Sequence, residues 1–98
     1  MEYNYEGKLE FKGEYLNGKR NGKGKEYNYY NGKLIFEGEY LNGERNGKGK
    51  EYHNEGELIF EGEYKDGVKW KGSGKIYLGN ELFVGEYLNG KKLEWKNI

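Results

Sequence analysis

Ser73, His53 and Asp66 are the only serine, histidine and aspartate in the chain, so any hydrolytic triad would have to be built from them. That chemistry needs a histidine to take the serine proton, a carboxylate to orient the ring and backbone amides to hold the oxyanion. Ser73 sits in Gly-Ser-Gly without a nucleophile elbow, and His53 follows Tyr52 beside an Asn54-Glu55-Gly56 turn. Nothing brings the three together, and a solvent-exposed histidine is the simpler reading. The pairs Glu37/Glu39 and Glu61/Glu63 share a strand face and offer oxygens for a divalent ion. Lysines interleave with them and no Asp-rich calcium loop is present, so they read as a solvated charged face. No catalytic residue, metal or cofactor is expected.

Phosphate binding is the sharper option. Lys19, Arg20, Asn21, Gly22 and Lys23 form a basic, glycine-rich stretch, and Arg45 to Lys48 echo it. Successive amides in Asn-Gly turns make anion nests, so Lys19, Arg20, Lys23, Arg45 and Lys48 are the candidate residues for an anionic phospholipid. Against this, Glu44 replaces Lys19 in the second copy, and 17 basic residues balance 17 acidic ones, so no overall field draws the chain to a membrane. A nucleic-acid platform would need a basic stripe, which is missing.

The element that positions these residues is a repeat. Phe36 to Tyr52 nearly reproduces Phe11 to Tyr27, and weaker copies begin at Phe60 and Phe83, giving starts 25, 24 and 23 residues apart. Residues 1–10 read as a half repeat, units start at 11, 36 and 60, and 83–98 is a truncated terminal unit. Only 34% of the residues are hydrophobic, too few for a thick core, yet 17% are aromatic, which argues against disorder. Two-residue alternation places Leu9, Phe11, Gly13 and Tyr15 on one strand face and Glu10, Lys12 and Glu14 on the other. Leu16–Gly22, with two Asn-Gly pairs, reads as the longer connection of each repeat, Gly22–Tyr30 as the returning strand, and Asn31-Gly32 as the tighter turn. The third unit has one extra residue after Lys65 by comparison with the first two. The expected architecture is all-β: an elongated single-layer antiparallel sheet of about nine strands, reaching roughly 40 Å at ~4.8 Å per strand.

Gly13, Gly38, Gly62 and Gly85 each lie between aromatics two residues away on either side. A glycine leaves a dent that a ring from the neighbouring strand can cover. Phe11, Tyr15, Phe36, Tyr40, Phe60, Tyr64, Phe83 and Tyr87 are therefore expected to form one aromatic ridge, with Trp70 and Trp95 as capping side chains. On the opposite face Glu14, Glu39, Glu63 and Glu86 align along the array, interleaved with Lys23, Lys25, Lys48, Lys50 and Lys75. Tyr27 and Tyr52 have the wrong parity for the ridge unless a bulge near Lys25 and Glu26 corrects it, and both facings stay open.

The pattern Phe-x-Gly-x-Tyr-x-x-Gly-x-x-x-Gly-x-Gly, at Phe11–Gly24 and Phe36–Gly49, resembles the MORN (membrane occupation and recognition nexus) repeat, with Phe where that family opens on Tyr. The resemblance implies consecutive β-hairpins laid side by side, and scaffold, dimerisation or membrane-associated roles rather than catalysis. The leading expectation is a non-catalytic interaction module that binds protein through a sheet face or a free edge. Its own edges, Glu2–Tyr5 and Lys92–Lys96, are also placed to pair with another copy. The alternatives are phosphoinositide binding through the basic turns, and a fragment or engineered version of a longer array. Localisation is expected to be cytoplasmic, at a membrane surface in the phospholipid case.

Overall fold

Asn17 and Gly18 both have positive φ, 51° and 79°, which is the backbone of a two-residue hairpin turn whose twist suits antiparallel strands. Asn42-Gly43, Asp66-Gly67 and Asn89-Gly90 repeat it. These turns join β2 (Leu9–Leu16) to β3 (Lys19–Tyr27), β4 (Leu34–Leu41) to β5 (Glu44–Tyr52), and β6 (Leu58–Lys65) to β7 (Val68–Leu78). The fourth leads from β8 (Glu81–Leu88) to the short β9 (Lys91–Lys92); β1 (Glu2–Tyr3) and β10 (Lys96–Asn97) lie at the two ends. The computed structural model describes residues 1–98 except Asn54 and Glu94. Those two belong to the Asn54-Glu55-Gly56 turn and the Lys92–Lys96 edge read from sequence, so both readings fall partly outside the described residues.

Every neighbouring pair is antiparallel, in the order β1 to β8 and then β10, with β9 sharing the β8 edge with β10. The sheet is thus nine strands wide, 41 Å along its long axis and 15 Å along its short one, a single layer.

Two local expectations are corrected. The connection beginning at Leu16 is the tight one, and β3 starts at Lys19 rather than Gly22. The second Asn-Gly pair is not a turn. Gly22, at φ 93°, lies in a bulge where three β3 residues face the single Glu14. The longer link is 28–33, where the Asn28 side chain accepts from the N–H groups of Tyr30 and Asn31. The third unit is corrected as well. Gly72 pairs with Gly62 on one side of β7 while Gly74 pairs with Gly85 on the other, so the supposed extra residue is a two-residue step in register across one long strand.

The fully enclosed side chains are Phe11, Phe36 and Phe60, with Tyr40 and Tyr64 nearly so. A single layer encloses them because each ring lies on a pair of facing glycines. A Cβ at Gly38 would stand 2.5 Å from the Lys48 carbonyl oxygen, 2.7 Å from Gly49 Cα and 2.8 Å from Phe36 Cζ. Only bare backbone leaves the ring that space. Tyrosines then flank each phenylalanine edge-on, Tyr40 and Tyr64 at 5.6 and 5.1 Å from Phe36. Such pairs contribute about 0.5–1.5 kcal/mol each beyond burial.

Candidate functional site

The lid over each phenylalanine is a cation. Arg20 lies 4.1 Å from the Phe11 ring centre and Arg45 4.1 Å from that of Phe36. Each guanidinium is held by a glutamate from the preceding unit. Arg20 donates from Nε (2.7 Å) and Nη2 (2.9 Å) to Glu2, and Arg45 from Nε (2.9 Å) and Nη2 (3.0 Å) to Glu26. The same carboxylates accept the hydroxyls of Tyr15 and Tyr40, and Glu51 accepts that of Tyr64. In the third unit Lys69 stands in for arginine, 3.6 Å from Glu51 and 5.4 Å from the Phe60 ring. The Glu2, Glu26, Glu51 series and the Arg20, Arg45, Lys69 series therefore stitch each unit to the next.

These contacts set the electrostatics of the aromatic face. Burial pushes Glu26 up, but the hydrogen bonds from Arg45 and Tyr40 outweigh it and leave its carboxyl below the usual range. Glu2 is lowered chiefly by Arg20. Burial and their carboxylate partners push the Tyr40 and Tyr64 phenols up. These groups are committed to one another, which makes this face structural.

The other face is open. Strand pairing sets Lys23 opposite Glu39, Lys25 opposite Glu37, Lys48 opposite Glu63 and Lys50 opposite Glu61. Glu14 and Glu39 also accept the backbone N–H of Lys23 and Lys48, both at 2.7 Å, closing the bulges. Together with Lys12 the four Lys–Glu pairs wall a trough of about 970 Å³ floored by the glycine rows. Toward the C-terminal strands a neighbouring hollow of about 830 Å³ changes character, with Leu58, Ile59, Val84 and Leu93 among Glu61, Lys75, Glu86 and Lys96. Tyr52 belongs to the trough face. Its hydroxyl donates to Glu37 at 2.7 Å, and the phenol is pushed up to about 12 by burial and that carboxylate. Tyr27 holds the equivalent register. The bulge lies opposite, in β4 between Leu34 and Phe36, so Glu26 and not Tyr27 meets the aromatic face.

The five candidate anion-binding residues are not gathered in one place. Arg20 and Arg45 lie under ion pairs on the aromatic face, Lys23 and Lys48 line the trough, and Lys19 is exposed beside the β2–β3 turn. Ser73 faces Glu61 and Glu86 across the sheet, Asp66 is in the β6–β7 turn, and His53 contacts Glu57 and Tyr77. His53, Glu55 and Glu57 form the one group among the described residues compact enough to hold a metal ion, with both glutamates exposed.

Of the ridge residues, Phe83 makes no ring contact among the described residues. Trp95 takes its place, 5.7 Å from Tyr87, its indole covering Gly85 and Gly74. Trp70 lies inside the array, its ring 3.4 Å from where a Cβ of Gly90 would stand, with Lys65 4.7 Å above.

The β2–β3 and β4–β5 hairpins both have this glycine floor and aromatic cover, and the family model for the MORN repeat matches residues 11–29 and 36–57. These segments are MORN repeats. No curated protein matches the chain. The matched MORN units are the ones with an arginine lid. The third unit, with Lys69 and the β7 register step, lies outside the matched segments. MORN repeats are in general scaffold or binding modules, and that coarse description applies to the two matched segments.

Proposed function

We propose that the protein is a non-catalytic MORN scaffold whose trough face receives an extended segment of a partner protein. The observation that carries this reading is the division of labour between the faces. The aromatic side uses its charges internally, while the trough presents alternating Lys and Glu rows that lead into an apolar hollow. A strand-like ligand with charges of alternating sign and an apolar end complements that surface, and exposed charge rows fix register more than they add affinity. Phospholipid binding through the basic turns has less support, because Arg20 and Arg45 would have to leave Glu2 and Glu26 to reach a phosphate.

The test is selection of peptides from a displayed library on the wild-type chain, with counter-selection on a Lys25→Glu/Lys48→Glu/Lys50→Glu variant. Selected peptides are then measured by calorimetry. Peptides that bind wild type and lose at least tenfold on the trough variant support the reading. A library that yields nothing distinguishing the two proteins removes it. Co-sedimentation with phosphoinositide vesicles, run beside Lys19→Glu/Arg20→Glu/Arg45→Glu, is the parallel arm. Pelleting of wild type but not of the variant would favour the lipid reading.

A further inference from the structure

The aromatic ladder runs Tyr15, Phe11, Tyr40, Phe36, Tyr64, Phe60, Tyr87, Trp95, each ring touching the next. Every inner ring has a neighbour on both sides, but the two terminal rings have one each. The deficit shows in exposure: Tyr15 is 40% exposed, against 4% for Tyr40 and 3% for Tyr64. The backbone repeats the asymmetry. β1 covers β2 only opposite Leu9 and Phe11, so among the described residues Lys12 to Leu16 have no strand on that side. At the far end β9 and β10 pair inward with β8 and carry the exposed Lys91, Lys92 and Lys96, with the Lys92 ammonium 5.4 Å from the Trp95 ring.

The two ends fit each other in three respects. A ladder that opens on a tyrosine and closes on a larger ring keeps its alternation if Tyr15 of one copy is set against Trp95 of another. β2 runs in the same direction as β8 and opposite to β9 and β10, so β2 placed beside them continues the antiparallel order. Charge agrees too: residues 1–16 carry four glutamates and two lysines, whereas residues 88–98 carry three lysines and one glutamate. We propose that the chain associates head to tail, the β2 edge of one copy adding to the β9–β10 edge of the next, with Tyr15 seated on Trp95. This deepens the scaffold reading by naming a second copy as one partner, and it leaves the trough free. A contact between unlike ends does not close on itself, so it builds open rows of copies. Edge-strand addition supplies main-chain hydrogen bonds, and the opposed charges make it salt-sensitive.

Sedimentation velocity across a concentration series at low and high salt reads this directly. Wild type is expected to climb past the mass of a dimer with concentration at low salt and to fall back at high salt. Tyr15→Lys removes the head, and Lys91→Glu/Lys92→Glu removes the tail, with near-ultraviolet circular dichroism confirming that each is folded. Each variant alone is expected to stay monomeric, and their equimolar mixture to stop at a dimer, since one head and one tail remain. Because the chain has no cysteine, Leu16→Cys and Lys92→Cys give an independent readout at two exposed positions. Oxidised together they are expected to form the mixed disulfide in excess of either homodimer. Wild type that remains monomeric at every concentration overturns the proposal. So does a closed dimer that the tail variant leaves intact, which would mean that β2 pairs with its own symmetry mate. Peptide binding in the trough is measured separately, so loss of self-association leaves that reading standing.

Discussion

Gly38 and Gly85 do the same work in different company. Gly38 lies in the middle of the array beneath Phe36, facing Gly49, with the Lys48 carbonyl closing the space. Gly85 lies near the end beneath Trp95, and the nearest atoms a Cβ would meet are indole atoms, at 2.6 Å. In the centre the backbone itself is the obstacle; at the end it is a side chain that can swing aside. The repeated middle is therefore rigid by construction, whereas the last unit reaches the same cover with one large ring and no arginine lid.

The largest expected effect sharpens that contrast. Phe36→Ala removes a fully enclosed ring flanked by two tyrosines and an arginine, and about 3–5 kcal/mol of stability should go with it in a chemical denaturation experiment. Trp95→Ala removes a larger residue, but one at the array's end. In a quasi-one-dimensional array each unit answers mainly to its neighbours, so a smaller loss is expected, with amide exchange speeding up in β7 and β8 while β2 to β5 stay protected. Equal loss of protection at both ends would break the comparison.

Next comes the glycine pair itself. Gly38→Ala should destabilise by at least ~2 kcal/mol because carbonyl oxygen and Cα must move apart. Gly85→Ala should cost clearly less, since the indole can tilt. Thermal melts of the two single variants decide it, and the idea fails if Gly85→Ala proves the worse.

The ion-pair lids rank third. Arg45→Ala leaves Glu26 and Glu51 without their shared cation in a half-buried setting, for which about 2 kcal/mol is expected. Arg20→Ala should cost less, because the Glu2 carboxylate that holds it is more exposed, 39% against 18% for Glu26.

The smallest effects are those of pH. Glu2 and Glu26 titrate below the ordinary carboxylate value of 4.5, so the stability they supply is full above that value. It drains away as pH drops through their lowered range. The phenols work in the opposite sense. Tyr40, Tyr52 and Tyr64 are raised above the ordinary value of 10, with Tyr52 at about 12. Their contribution is whole below pH 10 and is lost as pH rises past it. Denaturation midpoints in Glu26→Gln should fall less steeply on the acid side than in wild type, and Tyr52→Phe should flatten the alkaline limb.

The strands were legible because alternation and spacing are repeated: Phe-x-Gly-x-Tyr recurs four times, and its parity admits one face assignment. Turn lengths were not, because Asn17-Gly18 and Asn21-Gly22 look alike in sequence, and only the pairing of Tyr15 with Arg20 separates turn from bulge. The same ambiguity hid the lids. Arg20 and Arg45 sit in what reads as a basic loop, and Glu2, Glu26 and Glu51 as ordinary surface acids. Their shared repeat spacing was the available signal, since residues recurring at the array period tend to meet their counterparts. The β7 step was beyond reach, because Gly72 and Gly74 serve different neighbours and nothing in Gly-Ser-Gly says which.

A sheet 15 Å thick has almost no interior to flood when it opens. Little apolar area meets water on unfolding, so the heat-capacity change should be small for a chain of this length, since that quantity follows newly wetted hydrocarbon. The stability curve is then shallow and broad, and the ribbon keeps nearly the same modest margin in the cold as in the warm.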